Sequence, residues 1–139
     1  MVVGEISQQR NLIIIGGGPG GYSAAIRGAQ LGLSVTLIEQ ADLGGVCLNK
    51  GCIPSKIFTH AATKRSETSH LQDLGIGSGD DAFNVNKLLT YKNKVIDGLR
   101  AGVESLCKEN KVEVINGKAT FLGIDRIGVE KGHQFDIFE

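Results

Sequence analysis

The sequence has little of what many classes of partner or architecture require. Its 139 residues include no tryptophan, three cysteines and an aromatic fraction of 5%. Fifteen Lys and Arg balance fifteen Asp and Glu, so no overall charge attracts nucleic acid or an anionic membrane. The longest early apolar run, Leu12–Ile15, is far shorter than the ~20 residues of a membrane span, and residues 1–10 lack a secretory signal pattern. These absences favour a cytoplasmic single domain with small-molecule partners and no binding to nucleic acid or membrane.

Glycine, in contrast, is abundant, with 20 residues, about twice the average usage of roughly 7%. The first glycine cluster follows the β-branched run Leu12–Ile15, a pattern typical of a parallel strand buried on both faces. Pro19 suits the first turn of a following helix, and a second apolar run at residues 35–38 closes with Glu39. The order strand, helix, strand predicts the start of a parallel α/β sheet.

The first cluster, IIIGGGPGGYSAA, contains a GxGxxG pattern, which in this context predicts a dinucleotide site. Gly16 permits a tight turn, Gly18 lets a pyrophosphate approach the backbone, and Gly21 allows close helix-to-strand packing. Free N–H groups around Gly20 and Gly21 favour phosphate charge at the helix start. Glu39, 18 residues after Gly21, can accept hydrogen bonds from an adenosine ribose. The motif alone does not distinguish FAD from NAD.

The second half of the sequence predicts one long helix and a group of strands. Apolar residues recur at helical spacing over residues 84–110, and the lysines between them mark a solvated face. Cys107 falls on the apolar side, where we expect it in the core. Residues 74–81 predict a connecting loop, and residues 112–115 a third buried strand of the parallel sheet. A C-terminal antiparallel meander is predicted from strands at residues 118–122, 126–130 and 134–138.

The second glycine cluster, GGVCLNKGC, places two cysteines five positions apart. On a regular helix such positions have Cα atoms roughly 8 to 9 Å apart, beyond the limit of ~7 Å for a disulfide. Cys47 and Cys52 could pair only across a distorted helix, which Gly51 and Pro54 would permit. The spacing favours a redox couple over a structural staple. It leaves open a zinc site, which needs two more ligands, and two inert core thiols.

Residues 44–56, GGVCLNKGCIPSK, resemble the redox-active signature of the flavin-dependent pyridine nucleotide-disulfide oxidoreductases, and the similarity extends over essentially the whole sequence. Within that family the dihydrolipoamide dehydrogenases are the most similar group. Glutathione reductases usually carry lysine at the position of Ser55, and mercuric reductases typically carry threonine at the position of Val46. The resemblance implies an α/β fold, with a Rossmann-like parallel sheet that binds FAD and a C-terminal antiparallel β-meander.

The resemblance also implies where FAD would lie. The pyrophosphate would lie on the glycine loop, the adenosine ribose on Glu39 and the adenine beside the backbone of Ala119. The flavin ring would lie over the cysteine segment. The implied cofactor-binding residues are Gly16, Gly18, Pro19, Gly20, Gly21, Glu39, Gly45, Val46, Cys47, Lys56 and Ala119.

Three residues receive catalytic roles from the same resemblance. Cys47 and Cys52 would form the redox disulfide, with Cys47 exchanging with the substrate dithiol and Cys52 facing the flavin. Lys56 would approach flavin N5. The implied substrate is dihydrolipoamide carried on a lipoyl domain of a 2-oxoacid dehydrogenase-type complex, and the implied electron acceptor is NAD.

Members of the family are considerably longer than this sequence. They add a nicotinamide domain and an interface domain that completes the active site across a homodimer. We therefore expect residues 1–139 to form the N-terminal part of the FAD-binding domain, without an NAD site. Alone, they should be inactive, bind FAD weakly and associate through an open edge of the first strand. Two alternatives are a single-domain NAD-linked dehydrogenase, for which Tyr91 has no supporting context, and a dinucleotide-binding module without turnover.

Overall fold

The structure, a computed structural model, describes residues 7–76 and 83–139. Helices cover one face of a parallel sheet, and a second sheet covers the other. The helices are α1 (Pro19–Gln30), α2 (Gly45–Asn49), α3 (Cys52–Asp73) and α4 (Val85–Glu109). The strands are β1 (Ser7–Gln8), β2 (Leu12–Ile15), β3 (Val35–Glu39), β4 (Glu113–Asn116), β5 (Lys118–Phe121), β6 (Ile127–Lys131) and β7 (Gln134–Phe138).

The parallel sheet has the order β2-β3-β4, which confirms the predicted Rossmann-like α/β arrangement. The predictions that β2 is buried on both faces and that β4 is a buried strand are wrong. Ile15 in β2 is 46% exposed and Val114 in β4 is 41% exposed, because these strands are the two edges of the sheet. Among the described residues β2 pairs with β3 alone. Only the central strand β3 is buried along Val35 to Ile38.

The core lies on both faces of the central strand. Val35 and Leu37 of β3 pack with the helices, whereas Ile38 packs with the second sheet. This alternation follows from the period of two in a strand. Phe138, fully buried on the second sheet, lies in the same cluster as Ile38. The sheet is therefore held from both sides, and its carboxyl edge stays available for a site.

The second sheet has the order β1-β7-β6-β5. Strands β5, β6 and β7 are antiparallel neighbours, which confirms the predicted meander. Strand β1 was not predicted, and it runs parallel to β7 with Ser7 opposite Ile137. Two polar residues give no apolar alternation, so the sequence carries no strand signal there.

Helix α4 agrees with its predicted bounds to within one residue at each end. Asn84 caps its start by accepting a hydrogen bond from the Lys87 N–H at 2.9 Å. Cys107 is fully buried, as predicted, and burial together with the nearby charge of Glu104 raises the pKa of its thiol. The lysines of α4 are exposed apart from half-buried Lys92. The apolar face is less covered than predicted, because several of its leucines are exposed.

Helix α3 ends where the predicted loop begins, and Leu74–Ile76 are non-helical. Residues 77–81 of that predicted loop lie outside the described residues. No helix in the described part of the chain combines the length and the apolarity that crossing a bilayer requires.

Candidate functional site

The glycine loop between β2 and α1 leaves open space at the start of the helix. Gly16 has φ +100°, a conformation that favours glycine, and its N–H donates to the Ile38 carbonyl oxygen at 2.7 Å. A Cβ on Gly21 would clash with the Gly16 carbonyl oxygen. A Cβ on Gly18 would meet only the Gly45 Cα, at 3.9 Å, and one on Gly20 would meet nothing within 4 Å. The loop is therefore tightly packed at Gly21, and it has open space beside Gly18 and Gly20.

The start of α1 can receive an anion. Gly18 is the N-cap residue, and no side chain caps the helix. Pro19 occupies the first turn, where the missing N–H of proline costs nothing. The N–H groups of Gly20 and Gly21 thus lie at the positive end of the helix dipole. This geometry is suited to a phosphate group.

Glu39 ends β3 beside this loop. Its Oε2 accepts a hydrogen bond from the Gly17 N–H at 2.7 Å, and its Oε1 accepts one from the Ala41 N–H at 2.8 Å. A carboxylate has about four acceptor positions, so both oxygens can still accept hydroxyl donors. Gly16, Glu39 and Ala119 line one depression of about 290 Å³ at the carboxyl edge of the sheet. The structure thus brings the predicted ribose and adenine positions together.

The two cysteines of the second glycine cluster form a disulfide. The helix is interrupted rather than bent, because α2 ends at Asn49 and α3 begins at Cys52. This break brings the Cys47 and Cys52 Cα atoms to 4.7 Å. A Cβ on Gly51 would lie 3.1 Å from the Val46 carbonyl oxygen, so a side chain at this position would crowd the backbone of α2. Cys47 is half-buried and Cys52 exposed, which excludes the alternative of two buried core thiols.

The cysteine segment packs directly against the glycine loop. Gly44 and Gly45 have φ values of +98° and +64°, and the Gly44 N–H donates to the Gly17 carbonyl oxygen at 2.8 Å. A Cβ on Gly45 would lie 2.8 Å from the Gly18 Cα, so only glycine permits this approach. Val46, next along the chain, is 73% exposed. The disulfide-bearing segment and the start of α1 therefore lie next to each other.

Lys56 lies one helical turn after Cys52 on α3 and is exposed. It borders a separate, largely apolar depression between α3 and α4, together with Tyr91 and Leu99. It does not line the depression at Glu39. Sequence reasoning missed the residue that fixes the end of α2, Asn49, whose side chain accepts hydrogen bonds from Arg100. Those two residues are 51 positions apart, and no local pattern signals their contact.

Several curated proteins with similar sequences are dihydrolipoyl dehydrogenases. The chain is 48% identical over 122 residues to the dihydrolipoyl dehydrogenase of Staphylococcus aureus, covering 88% of this chain and 26% of that protein. It is 46% identical over 132 residues to that of Halobacterium salinarum, covering 95% of this chain and 28% of that protein. The chain thus spans about a quarter of the length of the curated relatives that it matches.

A solved structure and a family model that match this chain also belong to disulfide oxidoreductases. The HOCl-induced flavoprotein disulfide reductase RclA from Escherichia coli, solved as a Cu(II) complex, superposes with a TM-score of 0.76 at 27% identity. The match covers 94% of this chain and 26% of that one. The family model described as pyridine nucleotide-disulphide oxidoreductase matches residues 10–136. With its glycine loop, Glu39 and Cys47–Cys52 disulfide in one site, the chain belongs to the pyridine nucleotide-disulphide oxidoreductase family.

Proposed function

We propose that this chain is the FAD-binding, disulfide-bearing part of an NAD-linked enzyme that oxidises protein-bound dihydrolipoamide. The observation that carries the proposal is the Cys47–Cys52 disulfide packed against a glycine loop suited to a dinucleotide phosphate. The names of the relatives favour the lipoyl substrate over glutathione or mercuric ion. A lipoyl domain of a 2-oxoacid dehydrogenase-type complex is the proposed partner, a homodimer the proposed assembly of the whole protein and the cytoplasm its proposed location.

The residues present fit FAD. The open space in front of Gly18 and Gly20 is where the pyrophosphate would approach the backbone, Glu39 retains acceptors for the ribose, and Ala119 lines the depression that would hold the adenine. The flavin would be held by the cysteine segment and Lys56, and the proposed residues of that segment are Gly45, Val46 and Cys47. When bound, FAD would accept the electron pair of the reduced cysteines and transfer it to NAD.

The protein's own part in the reaction is thiol–disulfide exchange. A thiolate of dihydrolipoamide attacks the Cys47 sulfur, the S–S bond breaks, and Cys52 leaves as a thiolate. The second lipoyl thiol then attacks the lipoyl sulfur of the mixed disulfide, which releases oxidised lipoamide and leaves Cys47 reduced. Two electrons thus pass from the substrate to the cysteine pair.

The order of the two cysteines follows the family resemblance. Cys52 is the more exposed of the two residues in this structure, and in the proposal the flavin covers that side. In the proposal Lys56, one helical turn after Cys52 on α3, approaches flavin N5, as the family resemblance implies.

Thiol counting tests the redox assignment. The chain has three cysteines, so denatured protein that was never reduced should titrate one thiol, Cys107. Equilibration with dihydrolipoamide should raise the count to three, whereas reduced glutathione at equal thiol concentration should raise it far less. A Cys107→Ser control should titrate none before reduction. Three thiols in unreduced wild-type protein, or equal reduction by both thiols, would contradict the proposal.

A further inference from the structure

Asn49, at the end of α2, forms hydrogen bonds through both the nitrogen and the oxygen of its side-chain amide. Its two Nδ2 N–H groups face three backbone carbonyl oxygens, those of Asp42 at 3.3 Å, Leu43 at 3.1 Å and Gly45 at 2.9 Å, so one N–H is shared between two of them. Its Oδ1 accepts two hydrogen bonds from Arg100, from Nε at 3.2 Å and from Nη2 at 2.8 Å. The amide therefore fastens the loop before α2 to the end of the same helix.

Arg100 reaches this amide from α4. Its side chain is 28% exposed, and its Nη2 lies 3.6 Å from the Asp42 Oδ1, while its Nη1 lies 3.7 Å from the Asp97 Oδ1. Charge-assisted hydrogen bonds of a guanidinium are directional as well as strong. One side chain thus ties α4 to both ends of the segment 42–49.

That segment carries one half of the disulfide. Cys47 lies within α2, whereas Cys52 begins α3 after the break. The loop gripped by Asn49 also contains Gly45, whose backbone packs on Gly18. Helix α4 also packs against α3, so Arg100 helps to set the position of α2 relative to α3.

We propose that Arg100 is a positioning residue for the Cys47–Cys52 couple, a role that rests on the proposed redox function. In the reduced protein only the two-residue backbone connection of Lys50 and Gly51 joins α2 to α3, and the contacts of Arg100 help to keep the two thiols close together. Close thiols favour re-formation of the disulfide, since exchange depends on access of one sulfur to the other. Loss of the Arg100 contacts frees α2 in the reduced state, and the disulfide becomes easier to reduce.

The test measures the equilibrium between the protein and dithiothreitol, in which the protein disulfide and reduced dithiothreitol give the protein dithiol and oxidised dithiothreitol. Thiols are counted after quenching at several ratios of the two dithiothreitol forms. Arg100→Met should raise the equilibrium constant for reduction about tenfold, which corresponds to about 30 mV for two electrons. Arg100→Lys, which keeps the charge and one donor group, should give a smaller shift.

Arg27→Met is the matched control. Arg27 lies on α1 and contacts Gln30 at 3.5 Å on the surface, so its loss should leave the equilibrium unchanged. If Arg100→Met does not fold, the shift of Arg100→Lys relative to wild type decides. If the folded Arg100 variants have a lower melting temperature but the wild-type equilibrium constant with dithiothreitol, the positioning role is overturned. The redox function is still upheld in that case if the wild-type disulfide exchanges with dithiothreitol. A wild-type disulfide inert to dithiothreitol would overturn both.

Discussion

Single glycines decide the shape of the proposed cofactor site, each for a different physical reason. Gly16 is needed for its backbone conformation, and Gly21 for its contact with the Gly16 carbonyl group. Gly45 is needed for its approach to Gly18. Gly18 itself has space for a side chain. We therefore expect glycine at this position because the bound pyrophosphate would occupy that space.

Substitution of Gly18 tests this reading. In the full-length protein, Gly18→Val should place methyl groups where the pyrophosphate approaches and abolish measurable FAD binding. Glu39→Ala removes hydrogen bonds to the ribose, each worth about 1.5–3 kcal/mol when one partner is charged, and should weaken binding less. FAD titration followed by the absorbance of bound flavin measures both.

Gly98→Val is the control for Gly18→Val, because a Cβ at this glycine of α4 meets nothing within 4 Å and lies outside the proposed site. It should retain wild-type flavin binding. Full flavin occupancy in Gly18→Val would show that the glycine loop does not hold the phosphates.

Among single residues, the sequence predicts those that belong to one continuous motif. The disulfide pair was predicted from a motif, and the structure confirms the pairing; the roles of the glycines and Glu39 in cofactor binding remain predictions. The contact between Asn49 and Arg100 was not predicted, since it depends on how α2 and α4 pack. Side-chain pairs between distant elements leave no periodic signal in one sequence.

At the scale of the elements, the side chain of Asn84 caps the start of helix α4, and a single substitution tests this cap. Asn84 accepts a hydrogen bond from the Lys87 N–H, which satisfies one of the unpaired donors of the first turn. Asn84→Ala should therefore lower the free energy of unfolding by about 1 kcal/mol.

Urea denaturation measures this change, and Asn86→Ala in the same turn is the control. The Asn86 side chain is exposed, and alanine is the better helix former, so this variant should be as stable as wild type or slightly more stable. Equal destabilisation by both substitutions would contradict the capping role of Asn84.

The elements also show why burial was predicted less well than position. A β-branched apolar run predicts a strand in a parallel sheet, but it does not tell a central strand from an edge strand. The order β2-β3-β4 decides that β3 alone is covered on both sides. Helix bounds were predicted better, because caps and periodicity are properties of the helix itself.

At the scale of the whole molecule, one polar network joins the two sheets. Arg10, between β1 and β2, donates to the Thr36 hydroxyl at 2.8 Å and to the Glu113 carboxylate at 2.7 Å. The Thr36 hydroxyl in turn donates to the same carboxylate at 2.8 Å. The Arg10 guanidinium also lies 5.7 Å from the centre of the Phe138 ring on β7. Buried Thr36 is thereby satisfied as donor and acceptor.

This network makes stability depend on pH. Partial burial opposes ionisation of Glu113, but the hydrogen bonds from Arg10 and Thr36 and the charges of Arg10 and Lys131 outweigh it and lower the pKa of Glu113 below its ordinary value of 4.5. A lowered pKa in the folded state gives stability that is present above pH 4.5 and is lost as the pH falls through the folded pKa. The Glu113 side chain is 45% exposed, so screening limits the effect to under about 1 kcal/mol.

Glu113→Gln should therefore be less stable than wild type at pH 7, with the difference shrinking below pH 4. Thermal melts at several pH values measure this, and Glu109→Gln controls for the loss of one exposed negative charge on α4. A difference between wild type and Glu113→Gln that stays constant from pH 7 to pH 3 would show that Glu113 is not linked to folding through its charge.

The separation of β3 and β4 along the chain fixes the timing of sheet formation during synthesis. Thr36 and its partner Glu113 are 77 residues apart, so at about 5–20 residues per second the ribosome adds β4 roughly 4 to 15 s after β3. Throughout that interval the nascent chain can pair β3 only with β2, and the other edge of β3, the most buried strand of the finished fold, stays open. The surface beneath the glycine loop is therefore completed late, after the disulfide segment and both long helices have been translated.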